Sequence, residues 1–289
     1  MIKAVIKNTL EALIHFLLAL LGIICLGALP EMFRGLRIDV GNYLEALINL
    51  IIKLVHPLSL TYGPSGATRS LFPQILIMYK NTAIIFICSF IVSLIISFII
   101  VFFMLQCESR VKEKIKSVFL FIESIPDILV ILSLQIFVVW VFKITGTLVV
   151  NIAAVADKPI FLLPIISLSI PTTIMFIKLL LLKFEGELEK DYVLFAKAKG
   201  LNKFHILKIH VLRNVVLSVL YFSKTNIWFM LSNLYIIEWI YNAIGIFIFT
   251  KIHFTNEIFT VSLILIYIPI FIAFKLFHYI IPNPMKERL

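Results

Sequence analysis

Residues 191–214 hold the densest set of side chains able to grip a partner: Asp191, Tyr192, Lys197, Lys199, Lys203, His205, Lys208, His210 and Arg213. No paired carboxylates or nucleophile–base arrangement accompany them, so the chemistry on offer is recognition rather than bond making. The spacing predicts a helix, a glycine turn and a second helix. Asp191 suits an N-cap or first turn, where a carboxylate meets the positive helix end. Gly200 suits a left-handed position after the helix. Asn202 can cap the next helix, for which Phe204, Ile206, Leu207 and Leu212 supply apolar positions. Helices this short need a surface to lie on. Tyr192, Phe195 and Ala196, at i, i+3 and i+4, predict one apolar face. Ala196, Ala198 and Gly200 are small enough for another backbone to approach, with Lys197, Lys199, Lys203 and Lys208 around them. Two readings stay open on these residues alone: a docking surface, or a positive-inside loop against lipid headgroups. His205 and His210 are five apart and share no α-helical face, and His15, His56, His253 and His278 are scattered. No metal site is expected.

The elements that position this island are apolar. Of 289 residues, 61% are hydrophobic and 15% charged, against roughly 25% charged in a soluble domain. Runs long enough to cross a bilayer recur throughout, and they are continuous rather than alternating, which argues against a β-barrel. The expectation is an all-α, multi-pass membrane protein with about six spans: Leu10–Leu29, Ile75–Leu105, Val118–Phe142, Phe161–Leu182, Val215–Ile237 and Phe259–Ile281. With the N-terminus inside, most of the 26 Lys and Arg fall on inside segments, including Lys3, Lys7, Arg110, Lys112, Lys114, Lys116, Lys275, Lys286 and Arg288. Both termini are therefore expected in the cytoplasm. The net charge of +10 belongs to this orientation and does not argue for nucleic acid. Cys25, Cys88 and Cys107 are odd in number, lack zinc spacing and read as packing residues. The basic, then apolar, start lacks an A-x-A-like cleavage site and reads as a retained first span.

The segment from Pro30 to Gln74 is the largest outside segment. Gly63-Pro64-Ser65-Gly66 marks a turn in it, and residues 42–56 have helical periodicity with an apolar face, predicting a helix at the outer interface. The organisation expected is 1–74, a first span and extracytoplasmic segment, then 75–289, a five-span core with the loop 183–214 between spans four and five.

Against this frame of spans, Asp191-Tyr192-Val193, Ala196-Lys197-Ala198-Lys199-Gly200-Leu201 and His210-Val211-Leu212-Arg213-Asn214 resemble the signature loop of ABC-importer permeases. They are closest to the oligopeptide/dipeptide/nickel branch, which reads D-Y-V-x-x-A-[RK]-A-K-G-L and then R-H-x-L-R-N. Ser124-Ile125-Pro126, Leu163-Pro164, Glu238-Trp239-Ile240-Tyr241 and Asn283-Pro284 follow the family's order, so the similarity covers about residues 118–289. The long first outside segment is similar to that of the B-type subunit. Departures lie mainly on the outer side. Ser218 stands where the family has Pro, Ala243-Ile244-Gly245 replaces P-G-x-G, the P-G-D-P after span one is reduced to Leu29-Pro30-Glu31, and Asn283 and Met285 replace Asp and Arg.

The resemblance implies a type I ABC importer permease fold in a bacterial cytoplasmic membrane, with a cytoplasmic coupling helix between spans four and five. It implies partners: a C-type permease, two cytoplasmic ATPase subunits, one of them docked on this loop, and an extracytoplasmic binding protein. Asp191, Tyr192, Ala196 and Gly200 would form the docked turn, and Lys197, Lys199, His210 and Arg213 would hold or orient it. The chain has no G-x-x-x-x-G-K-[ST] loop, so ATP and Mg would be used by the partner ATPases, with no cofactor bound here. Polar residues inside spans are candidates for function. Gln135, Asn226 and Asn233 are candidates for lining the path, against plain packing. Glu123 and Asp127 flank Pro126 as path groups or interfacial caps, and Lys178 is expected to snorkel. Glu238 is a candidate outer gate or binding-protein contact, or a solvated loop end. The alternatives are a self-sufficient secondary carrier, which predicts repeats and discontinuous midplane helices not visible here, and a membrane-embedded enzyme.

Overall fold

The structure, a computed structural model, describes residues 2–34, 37–63, 68–148, 150–154 and 158–280. In 2–9, 34, 220–222 and 277–280 only the backbone is described. The expected turn at Pro64-Ser65-Gly66 and the Asn283-Pro284 end, with Met285, Lys286 and Arg288, lie outside the described residues.

The chain forms two compact units, Met1–Asn81 with Gly245–Lys275, and Thr82–Ile244 with the chain from Leu276. This division separates the segments differently from the expected 1–74 and 75–289, because residues 245–275 return to the N-terminal unit. Among the described residues, five helices are long and apolar enough to cross a membrane, or six if a bent pair forms one span.

The first unit contains α1 (Ile2–Ala28), α2 (Val40–Val55), the start of α3 (Leu71–Met104), α11 (Ile246–Ile252) and most of α12 (Asn256–Ile280). The helix expected at 42–56 is α2. Asp39 caps it, its carboxylate accepting the Asn42 backbone N–H at 3.1 Å. Val40, Leu44, Ile48, Ile52 and Val55 form an exposed apolar stripe, while Leu50 is buried. Lys53 pairs with Glu257 of α12 at 2.5 Å. Gly27 lets α1 and α12 touch: a Cβ there would lie 1.8 Å from Thr260 Oγ1.

The second unit is built around α6 (Leu162–Leu188). Its Phe176, Ile177, Leu180 and Phe184 are buried. Phe90 and Phe98 of α3 pack edge-on against Phe176 and Phe184, with ring centres 5.5 and 6.4 Å apart. Around this core run α4 (Ser109–Glu123), α5 (Asp127–Thr145), α7 (Asp191–Ala198), α8 (Lys203–His205), α9 (Leu212–Phe222) and α10 (Lys224–Ile240).

Two expected spans differ. The run Val118–Phe142 is cut at Ser124-Ile125-Pro126, leaving an exposed, amphipathic α4 and a spanning α5 that starts at Asp127. Pro126 has no N–H and disfavours a helical Ile125, which stops α4 there. The run expected at Val215–Ile237 is broken at Ser223, with arms Lys203–Val219 and Lys224–Ile240 inclined by 54°. A discontinuous helix pair is therefore present, contrary to expectation. Neither Gly nor Pro marks this break in the sequence.

Candidate functional site

The basic island folds as helix, glycine turn, helix. Asp191 occupies the first turn of α7, and Lys190 is the extended residue before it. Gly200 has φ +79°. Its N–H donates to the Lys197 carbonyl at 2.9 Å, and the Leu201 N–H reaches back to Ala196 at 3.3 Å. These two bonds satisfy carbonyls that the helix end leaves open, and they require a left-handed residue between them. Asn202 then caps the next helix, its side-chain oxygen accepting the His205 N–H at 2.8 Å.

The expected apolar face is divided. Val193 and Ala196 turn inward and are buried with Ile206, Leu207 and Val211, while Phe195 is 63% exposed. Ala196 thus packs in the chain's own core. Asp191, Lys197, Lys199, His210 and Arg213 are exposed and Tyr192 is half-buried. Lys199 lies over the Phe195 ring at 4.5 Å, a cation–π contact that holds the aromatic face outward.

What seats the loop is Glu187, which sequence reasoning missed. It sits at the end of α6, only 8% exposed. Its Oε1 accepts from the Tyr192 hydroxyl at 3.1 Å and from Asn214 Nδ2 at 2.7 Å, and its other oxygen pairs with Lys190. One carboxylate therefore joins α6, α7 and α9. Burial, partly opposed by the Asn214 hydrogen bond and reinforced by the neighbouring Glu187, pushes the Tyr192 phenol up to about 12. The only hint in the sequence is an acid three residues before Lys190. Beside this cluster, Lys112 and Lys116 of α4 reach Glu185 at 2.9 and 2.8 Å. The Glu185 hydrogen bond, the largest effect, holds Lys116 above its ordinary pKa.

Between Ile206 and Val211 the helix widens into a π-turn. The Leu212 N–H donates to the Leu207 carbonyl, five residues back. As a result His205 and His210 do come together, with ring centres 6.0 Å apart. The expectation that they share no face assumed α-helical spacing.

The polar residues within the spans are placed separately. Asn233 is buried and its Nδ2 donates to Asp127 at 3.2 Å. Gln135 Nε2 donates to the Ile240 carbonyl at 3.5 Å. Asn226 is 3% exposed, and its amide nitrogen has no hydrogen-bond partner among the described residues. A cavity of about 340 Å³ lies beside this group, lined by Glu123, Pro126, Asp127, Pro171, Met175 and Phe229 among others. Gln135, Asn226 and Asn233 are not among its lining residues. Lys178, expected to snorkel, pairs with Glu123 at 2.7 Å. Glu238 is no solvated loop end: it is fully buried and accepts the Thr82 hydroxyl at 2.5 Å. Tyr241, also fully buried, shares a 2.7 Å hydrogen bond with Ser167 and donates to the Ile131 carbonyl at 3.3 Å. These bonds tie α5, α6 and the end of α10 together.

No curated protein matches the chain. Residues 107–286, which include the whole loop, both broken runs and the cavity, match the family described as binding-protein-dependent transport system inner membrane component. That match spans more than half of the chain, and the chain belongs to this family of ABC importer permeases.

Proposed function

We propose that this permease moves oligopeptides, dipeptides or a related small solute across a bacterial cytoplasmic membrane, as a B-type subunit paired with a C-type permease. Both termini and the loop 183–214 lie in the cytoplasm. Two separate ATPase subunits bind and hydrolyse Mg-ATP, and one of them docks on the loop. An extracytoplasmic binding protein delivers the solute.

The observation that carries the reading is the seating of the loop. Its turn is fixed by Gly200 and its base by the buried Glu187. Phe195, Lys197 and Lys199 stay on the outside. A loop that only oriented the protein against headgroups would not need three elements joined through one buried carboxylate. Asp191, Tyr192, Ala196 and Gly200 form the docked turn. Ala196 acts from beneath by drawing α7 onto the core, while Lys197, Lys199, His210 and Arg213 orient the partner.

Closure of the ATPases would move α7, and Glu187 would pass that motion to α6 and α9. The bent pair at Ser223 would carry it into α10, beside Asp127 and the 340 Å³ cavity. Asn233, Asn226 and Gln135 would line or adjust the path as these helices move. Glu238 would act as a buried gate element rather than a surface contact. A transport assay with candidate peptides in cells lacking the chain tests the substrate class: peptide uptake should require it, and uptake that is unchanged without it would rule peptides out.

A further inference from the structure

We infer that the π-turn at Ile206–Val211 creates a binding site for one divalent transition-metal ion, held by His205 and His210. In an α-helix of 3.6 residues per turn, positions five apart lie about 140° apart around the axis. Histidines that share a zinc ion on an α-helix therefore stand at i and i+4. Here the i→i+5 bond from Leu212 to Leu207 widens the turn. It brings the His205 and His210 rings to 6.0 Å between centres, inclined at 58°. An ion binding both imidazoles at about 2.0–2.1 Å sets the ring centres about 5 to 6 Å apart, so a small rotation of either ring suffices.

Both histidines are exposed and can be reached from solvent. The backbone beneath them is fixed, because Asn202 caps the helix ahead of His205 and Ile206, Leu207 and Val211 are buried. The two rings project from one preformed turn, so little ordering is needed on binding. Among the described residues no third His, Cys, Asp or Glu completes the set, so water fills the remaining positions. Lys203, Lys208 and Arg213 nearby repel a cation, and the ligands are the neutral imidazoles. These features select a metal with high affinity for nitrogen, of the zinc or copper type, over magnesium or calcium. The bound ion would staple the two ends of the π-turn.

The test uses the full chain in detergent, without a histidine tag, titrated with zinc chloride by calorimetry. One zinc ion per chain is expected, with affinity falling by about tenfold or more in both His205→Ala and His210→Ala. Zinc should also slow trypsin cleavage after Lys208 in the wild type and leave it unchanged in His210→Ala. Unchanged one-ion binding in the double variant overturns the site, as does loss of binding in His56→Ala or His253→Ala instead. The titration needs no transport partner, so its failure would leave the proposed function untouched.

Discussion

Glu187 concentrates the loop's polar anchoring in one carboxylate. Removing it as Glu187→Ala leaves the Tyr192 hydroxyl and Asn214 amide without their acceptor, at a cost on the order of 1–3 kcal/mol. Amides in 191–214 should then exchange faster with deuterium, while those of α6 around Phe176 and Leu180 stay protected. Equal protection of the loop in the variant would show that Glu187 does not seat it. Tyr192 gives the cluster a pH limit. Its pKa is raised to about 12 in the fold, from an ordinary value near 10. The neutral phenol therefore contributes fully below about pH 10, and the contribution is lost as pH rises toward 12. The protease resistance of the loop should drop in that window, and the drop should be smaller in Tyr192→Phe. Gly200 and Asn202 were legible in the sequence because turn and cap preferences act within a few residues. Glu187 was not, since its partners lie five and 27 positions away and only the fold brings them close.

The helices show the same division between local and distant causes. The stop at Pro126 is a property of proline and is legible in the sequence, although hydropathy runs on across it. The 54° break at Ser223 has no such residue, and the helices on both sides of it pack on α6. The π-turn likewise has no local code, and it overturned the spacing argument about His205 and His210. Hydropathy and the family's order put Glu238 at a span end, but burial depends on which neighbour covers the residue. In a variant free of native cysteines, Glu238→Cys should resist a membrane-impermeant maleimide that labels Asn242→Cys, the exposed residue between buried Tyr241 and Ala243. Rapid labelling of both would mean that Glu238 faces water. In the first unit, Gly27→Leu should weaken the packing of α1 on α12, because its Cβ would collide with Thr260. The expected result is a lower melting temperature in detergent and reduced yield, and an unchanged melting temperature would argue against that close contact.

For the molecule as a whole, composition and span count establish a membrane protein, and the match over residues 107–286 establishes an importer permease. The segments expected on the outer side are where the sequence departs most from the family's pattern, so they carry least about the solute. The loop bears most on the proposed power source: it is a seated, exposed, basic helix, the surface on which the proposed ATPase subunit would dock. The most direct measurement purifies the full chain, wild type and Gly200→Trp, from its own membrane, and assays co-purified ATPase activity after reconstitution. Gly200 has φ +79° and open space at its Cβ, so tryptophan strains the turn and stands in the partner's way rather than in the core. The account predicts a stoichiometric ATPase partner with the wild type, and loss of its transport-coupled stimulation in Gly200→Trp. A wild-type chain that transports with no ATPase bound, or unchanged coupling in Gly200→Trp, would contradict it.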